Sequence, residues 1–348
     1  MAVTRCAFLL AQVRTSSRST GFGDPNKEQH VQHEMESVAV LGVGAMGAPM
    51  ARRLASAGYA VTVCDRNVDA LDSFAGVATT VSTDPRSCAS ADAVLVLVAT
   101  AAQVAEVLVG DHGVFAGDVG ERPPVVVVMS TVGPEHIREL RQGVARYGAG
   151  VVDAPVSGGV NGAENGTLSV FLGGDPATVD SIEPVLKHLG DRLFRCGGVG
   201  DAQTVKMVNN AIAVVNAHVG AEAFRFAVER GLLPAAVAPV LEASSGRNLL
   251  TVDSRDVATM FAEWTASRPD FDALTSIMAK DLRLVAELTE PNRLHYPVLG
   301  RLPDLVGAIG DDTFDTWRKV AAGASSTQPD PIPRTISAHT RRPNKENR

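Results

Sequence analysis

Residues 37–65 read SVAVLGVGAMGAPMARRLASAGYAVTVCD, and the order of residue types in this stretch decides the fold. Ser37–Leu41 is a short apolar run of strand length, followed by Gly42-Val43-Gly44-Ala45-Met46-Gly47 and a helix-forming segment that lasts to Gly58. Tyr59–Cys64 is a second strand, ending at Asp65, 23 residues after the first glycine. Strand, glycine loop, helix and strand in this order make a βαβ unit. Gly42 permits the tight turn, Gly44 lets backbone approach a pyrophosphate, Gly47 allows close helix packing, and the helix N-terminus offers free N–H groups and a favourable dipole. The unit therefore points to dinucleotide binding, with residues 42–47 as the cradle. Asp65 points to NAD, because a carboxylate there accepts hydrogen bonds from the adenosine ribose and repels a 2′-phosphate. Arg66 keeps NADP open as the alternative, since a guanidinium pairs with phosphate or stacks on adenine.

The alternation continues with an Asp84-Pro85 helix start, a strand over Ala93 to Val98, a helix from Ala101, a strand over Pro124 to Met129 and a helix beginning near Pro134. Such a pattern specifies an α/β, Rossmann-type doubly wound sheet, mostly parallel, with ligands at the carboxyl ends of the strands. Ser130 and Thr131 lie at one such end, placed either to contact a cofactor or to cap the next helix.

The wider composition narrows the function. The 348 residues are 45% apolar and 20% charged, which suits about two domains with a real core and excludes wholesale disorder. No apolar run approaches the roughly 18 residues of a membrane span. Net charge is −7, and both ends are basic, so the acidic excess lies in the middle. An acidic body is a poor match for a phosphate backbone, so neither nucleic acid nor membrane is an expected partner. Cys6, Cys64, Cys88 and Cys196 show no paired spacing, and the eight histidines no ligand spacing, so no disulfide framework and no metal site is expected. Residues 1–35 read as a leader or an upstream start before Met35, and residues 322–348, with four prolines and few large apolar side chains, as a disordered tail. Residues 36–199 form the expected NAD(P)-binding domain, and 200–321 an all-helical C-terminal domain for substrate and assembly. The expected location is cytoplasmic, or the mitochondrial matrix if residues 1–34 are a transit peptide.

Two later segments carry candidate chemistry. After the strand Val151-Val152, Asp153–Gly159 reads DAPVSGG and the following residues to Gly166 stay glycine-rich. Ser157 brings a hydroxyl, while Gly158 and Gly159 expose backbone N–H groups, the makings of a carboxylate cradle or of an ordinary tight loop. From Gln203 to Arg230 an apolar pattern runs through Val205, Val208, Ile212, Val215, Val219 and Ala223, long for a globular helix. Lys206 and Asn210 share one face of it, four residues apart, where both can address one substrate, while Asn209 points elsewhere. Beyond residue 230 the reading is helical, with loops at Ser244–Arg247 and at Arg268-Pro269-Asp270. Lys280, in an apolar helix over Phe271–Leu288, reaches the cleft or is simply solvated.

GVGAMGAPMARRLASAG, DAPVSGGVNGAENGTL, VGDAQTVKMVNN and FDALTSIMAKDL together resemble the β-hydroxyacid dehydrogenase family, over about residues 36–321. The resemblance implies an oxidoreductase moving a hydride between nicotinamide and a short β-hydroxy acid of the 3-hydroxyisobutyrate type. It implies Lys206 as the acid/base, Ser157, Gly158 and Gly159 as the carboxylate site, Asn210 as the orienting amide, and Thr131 and Lys280 as cofactor contacts. A homodimer or homotetramer is implied as well. Alternatives on the same scaffold are an aldehyde-acid reductase of the tartronate or succinic semialdehyde type, an imine reductase, and a non-catalytic cofactor-binding protein, against which intact Lys206 and Asn210 argue. Two departures stand out: Ala202 replaces a frequent glycine, and Val98-Ala99 replaces a proline-containing turn.

Overall fold

Among the described residues nine strands follow the chain as β1 (Ser37–Leu41), β2 (Ala60–Cys64), β3 (Thr80–Ser82), β4 (Ala93–Val96), β5 (Val125–Val128), β6 (Val151–Asp153), β7 (Val156–Ser157), β8 (Ser169–Gly174) and β9 (Arg192–Gly197). They are seen in a computed structural model that describes residues 35–251, 256–291, 296, 298–302, 304–305 and 309–323. The leader and the tail lie outside the described residues apart from Met35, Ala322 and Gly323. The strand order β3-β2-β1-β4-β5-β6 is parallel throughout; β8 then runs antiparallel to β6 and β7, and β9 parallel to β8. Strand order reverses between β1 and β4, the switch point at which ligands bind in such sheets.

Helices cover both faces, which is why the central strands are apolar without alternation. Val38 and Val40 of β1 pack with Met50, Ala51 and Leu54 of α1 (Gly47–Ser56), while Ala39 and Leu41 pack with Val104 and Leu108 of the helix Ala101–Val109 and Ile137 of the helix Pro134–Ala145. The strand read over Ala93 to Val98 ends at Val96, because Leu97–Ala99 turn along the glycine loop. Residues 159–165, read as loop, form a short helix between left-handed Gly158 and Gly166.

The helical half begins with the long helix Asp201–Val228, called the lysine helix below, and continues with Pro234–Glu242, Val257–Trp264, Arg268–Thr289 (the clamp helix) and Asp311–Ala322. Arg268-Pro269-Asp270 is not a loop. Ser267 caps the clamp helix, and Pro269 sits in its first turn, where a missing N–H costs nothing. The lysine helix is long and apolar enough to cross a membrane by length and composition, but it packs on the sheet, the clamp helix and the last helix.

Its buried face differs from the one the spacing predicts. Val205, Val208, Ile212 and Val219 are 40–60% exposed, and Ala223 is exposed as well. The core instead receives Met207, Ala211, Val214, Ala217, Ala221 and Phe224. Small side chains let neighbours approach closely: a Cβ on Gly220 would lie 2.3 Å from Leu250 Cδ1.

Trp317 anchors this half. It is 1% exposed, and the rings of Phe261, Trp264 and Phe271 lie 5.3–5.4 Å from it. Trp317→Ala should lower the unfolding free energy by about 3–5 kcal/mol in urea titration. A loss below about 1 kcal/mol would remove this cluster from its central place.

Candidate active site

The glycine loop leaves β1 with Gly42 N–H donating to the Cys64 carbonyl at 2.8 Å. Only hydrogen fits at residue 47, where a Cβ would come 1.9 Å from the Gly42 carbonyl oxygen; at Gly44 a Cβ would meet nothing within 4 Å. Gly44 and Ala45 are exposed, Val43 is buried and Met46 half-buried. No side chain caps α1, so its leading N–H groups stay available to an anion. The loop borders a cleft of about 490 Å³ lined also by Asp65 and Arg66, with Gln103 and Glu106 opposite. The open space at Gly44, the uncapped helix and this cleft fit a dinucleotide.

Asp65 has a second task that its position alone did not reveal. Its Oδ2 accepts the Val43 N–H and its Oδ1 the Asn67 N–H, both at 2.9 Å. It thereby fixes the loop, and each oxygen keeps a further lone pair for a ligand. The Val98-Ala99 turn is held without proline: Gln103 Oε1 accepts the N–H groups of Ala99 and Thr100 at 2.9 and 3.2 Å. Cys64 and Cys88, unpaired in spacing, meet as free thiols in the core; their hydrogen bond and then burial push the Cys88 thiol up.

Asp153, fully buried at the end of β6, accepts the N–H groups of Gly200 and Gln203 at 2.8 and 3.0 Å. Burial pushes its carboxyl up to about 6, against the pull of those donors. Gln203, also fully buried, donates to the Ser130 carbonyl at 2.8 Å and accepts the Val132 N–H at 3.2 Å. Ser130 does not cap the following helix: its hydroxyl donates to the Val98 carbonyl at 2.6 Å, and Gly133 occupies the cap.

Between them, the Thr131 carbonyl accepts from Lys280 Nζ at 2.9 Å. Lys280 Nζ is also 2.9 Å from Asp281 Oδ1, and Asp281 Oδ2 accepts the Asn210 amide at 2.5 Å. The Asn209 amide donates to Asn210 Oδ1 at 3.0 Å. Thr131, Lys280, Asp281 and Asn210 thus form one chain from sheet edge to lysine helix. Lys206 is 8% exposed. Burial brings its ammonium down to about 8; Asp281 opposes that and Lys280 adds to it.

The glycine pair after Ser157 is shaped for an exposed turn. Gly158 has φ 135° and Gly159 φ 63°, a region that disfavours other residues, and both are exposed while Ser157 is half-buried. Among the described residues no hydrogen bond joins Ser157–Gly159 to Lys206 or Asn210; the link is Asp153, which heads this segment and holds the lysine helix. Asp153, Gln203 and Asp281 escaped the sequence reading. Gln203 lies one turn before Lys206, and Asp281 stands directly beside Lys280, the only hints available.

Residues 37–198 match the family model described as the NAD binding domain of 6-phosphogluconate dehydrogenase, and residues 200–313 that described as NAD-binding of NADP-dependent 3-hydroxyisobutyrate dehydrogenase. The chain is 35% identical over 215 residues to 3-hydroxyisobutyrate dehydrogenase of Pseudomonas aeruginosa, covering 62% of this chain and 72% of that one. It is 30% identical over 267 residues to NAD-dependent L-serine dehydrogenase of the same organism, covering 76% and 89%. The structure of Mycobacterium tuberculosis 3-hydroxyisobutyrate dehydrogenase with L-serine is 27% identical, at a TM-score of 0.68 over 84% of this chain and 100% of that one. With both halves matched in order and the glycine-loop cleft formed, the chain belongs to the β-hydroxyacid dehydrogenase family of NAD(P)-dependent oxidoreductases.

Proposed function

We propose that the chain interconverts a short β-hydroxy acid and its carbonyl acid, with Lys206 as general acid/base. The observation that carries this reading is the placement of Lys206, buried on a helix start that Asp153 pins to the carboxyl edge of the sheet; burial there brings its ammonium down to about 8. A bound nicotinamide would supply the hydride chemistry, and Gly42–Gly47, Asp65, Thr131 and Lys280 would hold it. Ser157, Gly158 and Gly159 take the substrate carboxylate, and Asn210 orients the hydroxyl. In oxidation, neutral Lys206 takes the hydroxyl proton; in reduction, its ammonium returns one. 3-Hydroxyisobutyrate and L-serine, named for the relatives above, share a carboxylate and a hydroxyl on the β carbon, the pattern this arrangement suits.

Lys206→Ala should lower kcat by at least about two orders of magnitude with 3-hydroxyisobutyrate or L-serine, while fluorescence titration still shows cofactor binding. Oxidation should rise with pH through about 8, where Lys206 deprotonates, and reduction should fall through the same range. Turnover that survives the substitution would sink the assignment.

NAD is the preferred cofactor on this reading, with Arg66 as the residue that still admits NADP. Arg66→Ala should cut kcat/KM for NADP about tenfold, the scale of one lost charged hydrogen bond, and leave NAD nearly unchanged. Better use of NADP than of NAD by the unaltered chain would overturn the role given to Asp65.

The exposed stripe Val205, Val208, Ile212, Val219 and Phe226 repeats at spacings of three, four and seven, the seam of two packed helices. A second copy of this chain laid against it gives the homodimer, or a tetramer built from it. Ile212→Glu should lower the mass measured by light scattering while circular dichroism stays the same. An unchanged mass would assign assembly to another face.

A further inference from the structure

We infer that Asp281 is a positioning residue for the reaction: one carboxylate oxygen accepts the Asn210 amide, the other pairs in charge with the Lys280 ammonium, and its charge bears on Lys206. This rests on the acid/base reading of Lys206. Asp281 is 4% exposed, and a carboxylate so buried is stable only when its charge is answered by neighbours. Its partners come from two helices, Asn210 at 2.5 Å from the lysine helix and Lys280 at 2.9 Å from its own.

Charge counting shows what this does. Among the described residues, the charged groups acting on Lys206 are Asp281 and Lys280, with opposite effects. Of the other nearby carboxylates, Asp153 is spent on the Gly200 and Gln203 N–H groups, and Asp201 lies 3.5 Å from Arg138 at the half-exposed helix start. With Lys206 neutral, Lys280 and Asp281 cancel and the cluster carries no net charge. The proton that Lys206 gains from a substrate hydroxyl leaves it at plus one, a charge that the substrate's own carboxylate can answer. Asp281 therefore balances a base that must release its proton at neutral pH against an acid that must hold one. The same carboxylate keeps Asn210 aimed, so position and proton affinity are set by one side chain.

The test separates these roles on the full chain. Competitive labelling with acetic anhydride from about pH 6 to about pH 11, read by mass spectrometry on the Lys206 peptide, gives its proton-binding midpoint without any turnover. Asp281→Asn keeps shape and an acceptor for Asn210 but loses the charge; the midpoint should fall by about one pH unit, and the rising limb of kcat for oxidation should move with it. Asp281→Glu should restore the midpoint. Lys280→Gln should shift it the opposite way, and this sign test stands even if Asp281→Asn does not fold. Midpoints that move by less than about 0.3 unit, or in the same direction in both variants, overturn the inference. Failure of the acid/base reading looks different: Lys206→Ala would then keep its turnover whatever the labelling shows.

Discussion

The Asp153 carboxylate sits with no solvent exposure on the first N–H groups of the lysine helix. A helix start carries unsatisfied donors and the positive end of a macrodipole, so a buried anion there is held as firmly as the donors are. The start of the lysine helix, and with it Lys206, is placed through this contact. It joins β6 to the helix that carries Lys206 and Asn210, and it stands at the head of the segment that ends in Ser157–Gly159. The neighbouring strand accommodates it: a Cβ on Gly173 would come 2.6 Å from Asp153 Oδ1. One strand terminus thus aims both the loop and the lysine.

The nucleotide half was legible because its determinants are local. Ser37–Leu41, the three glycines and Asp65 each owe their place to neighbours within one βαβ unit, where chain geometry leaves few alternatives. The lysine helix was legible as a helix but not in its orientation. Its large β-branched residues fall on the exposed face because small residues, Ala211, Ala217, Gly220 and Ala221, allow tighter packing on the other. Apolar periodicity measures side-chain size and cannot report which face meets a partner. The loop expected at Arg268-Pro269-Asp270 failed for a different reason: proline and aspartate mark turns and first helical turns alike, and only Ser267 as the cap distinguishes them.

The polar chain through Asp281 was the least legible part. Its members come from residues 131, 210, 280 and 281, so no window of sequence contains them together. Lys280 and Asp281 are adjacent in a helix, where consecutive side chains diverge, yet Lys280 Nζ lies 2.9 Å from Asp281 Oδ1. The same holds for Gln203, whose amide bridges two residues of a loop more than seventy positions earlier. Polar side chains of this kind are selected by the space they fill between elements, and only the folded chain defines that space.

The lysine helix joins two ends of the molecule's work in one rod. Its exposed stripe begins at Val205 and ends at Phe226, about 32 Å at the usual rise per residue, and Lys206 is the second residue of that span. Clamped at one end by Asp153 and loaded along its outer face by the second copy proposed above, such a rod would act as a lever with its fulcrum beside Lys206. A tilt at the far end would then turn Lys206 and Asn210 together against the sheet edge. On the reading proposed above, the inclination of this one helix would link contacts on the outside of the protein to its chemistry.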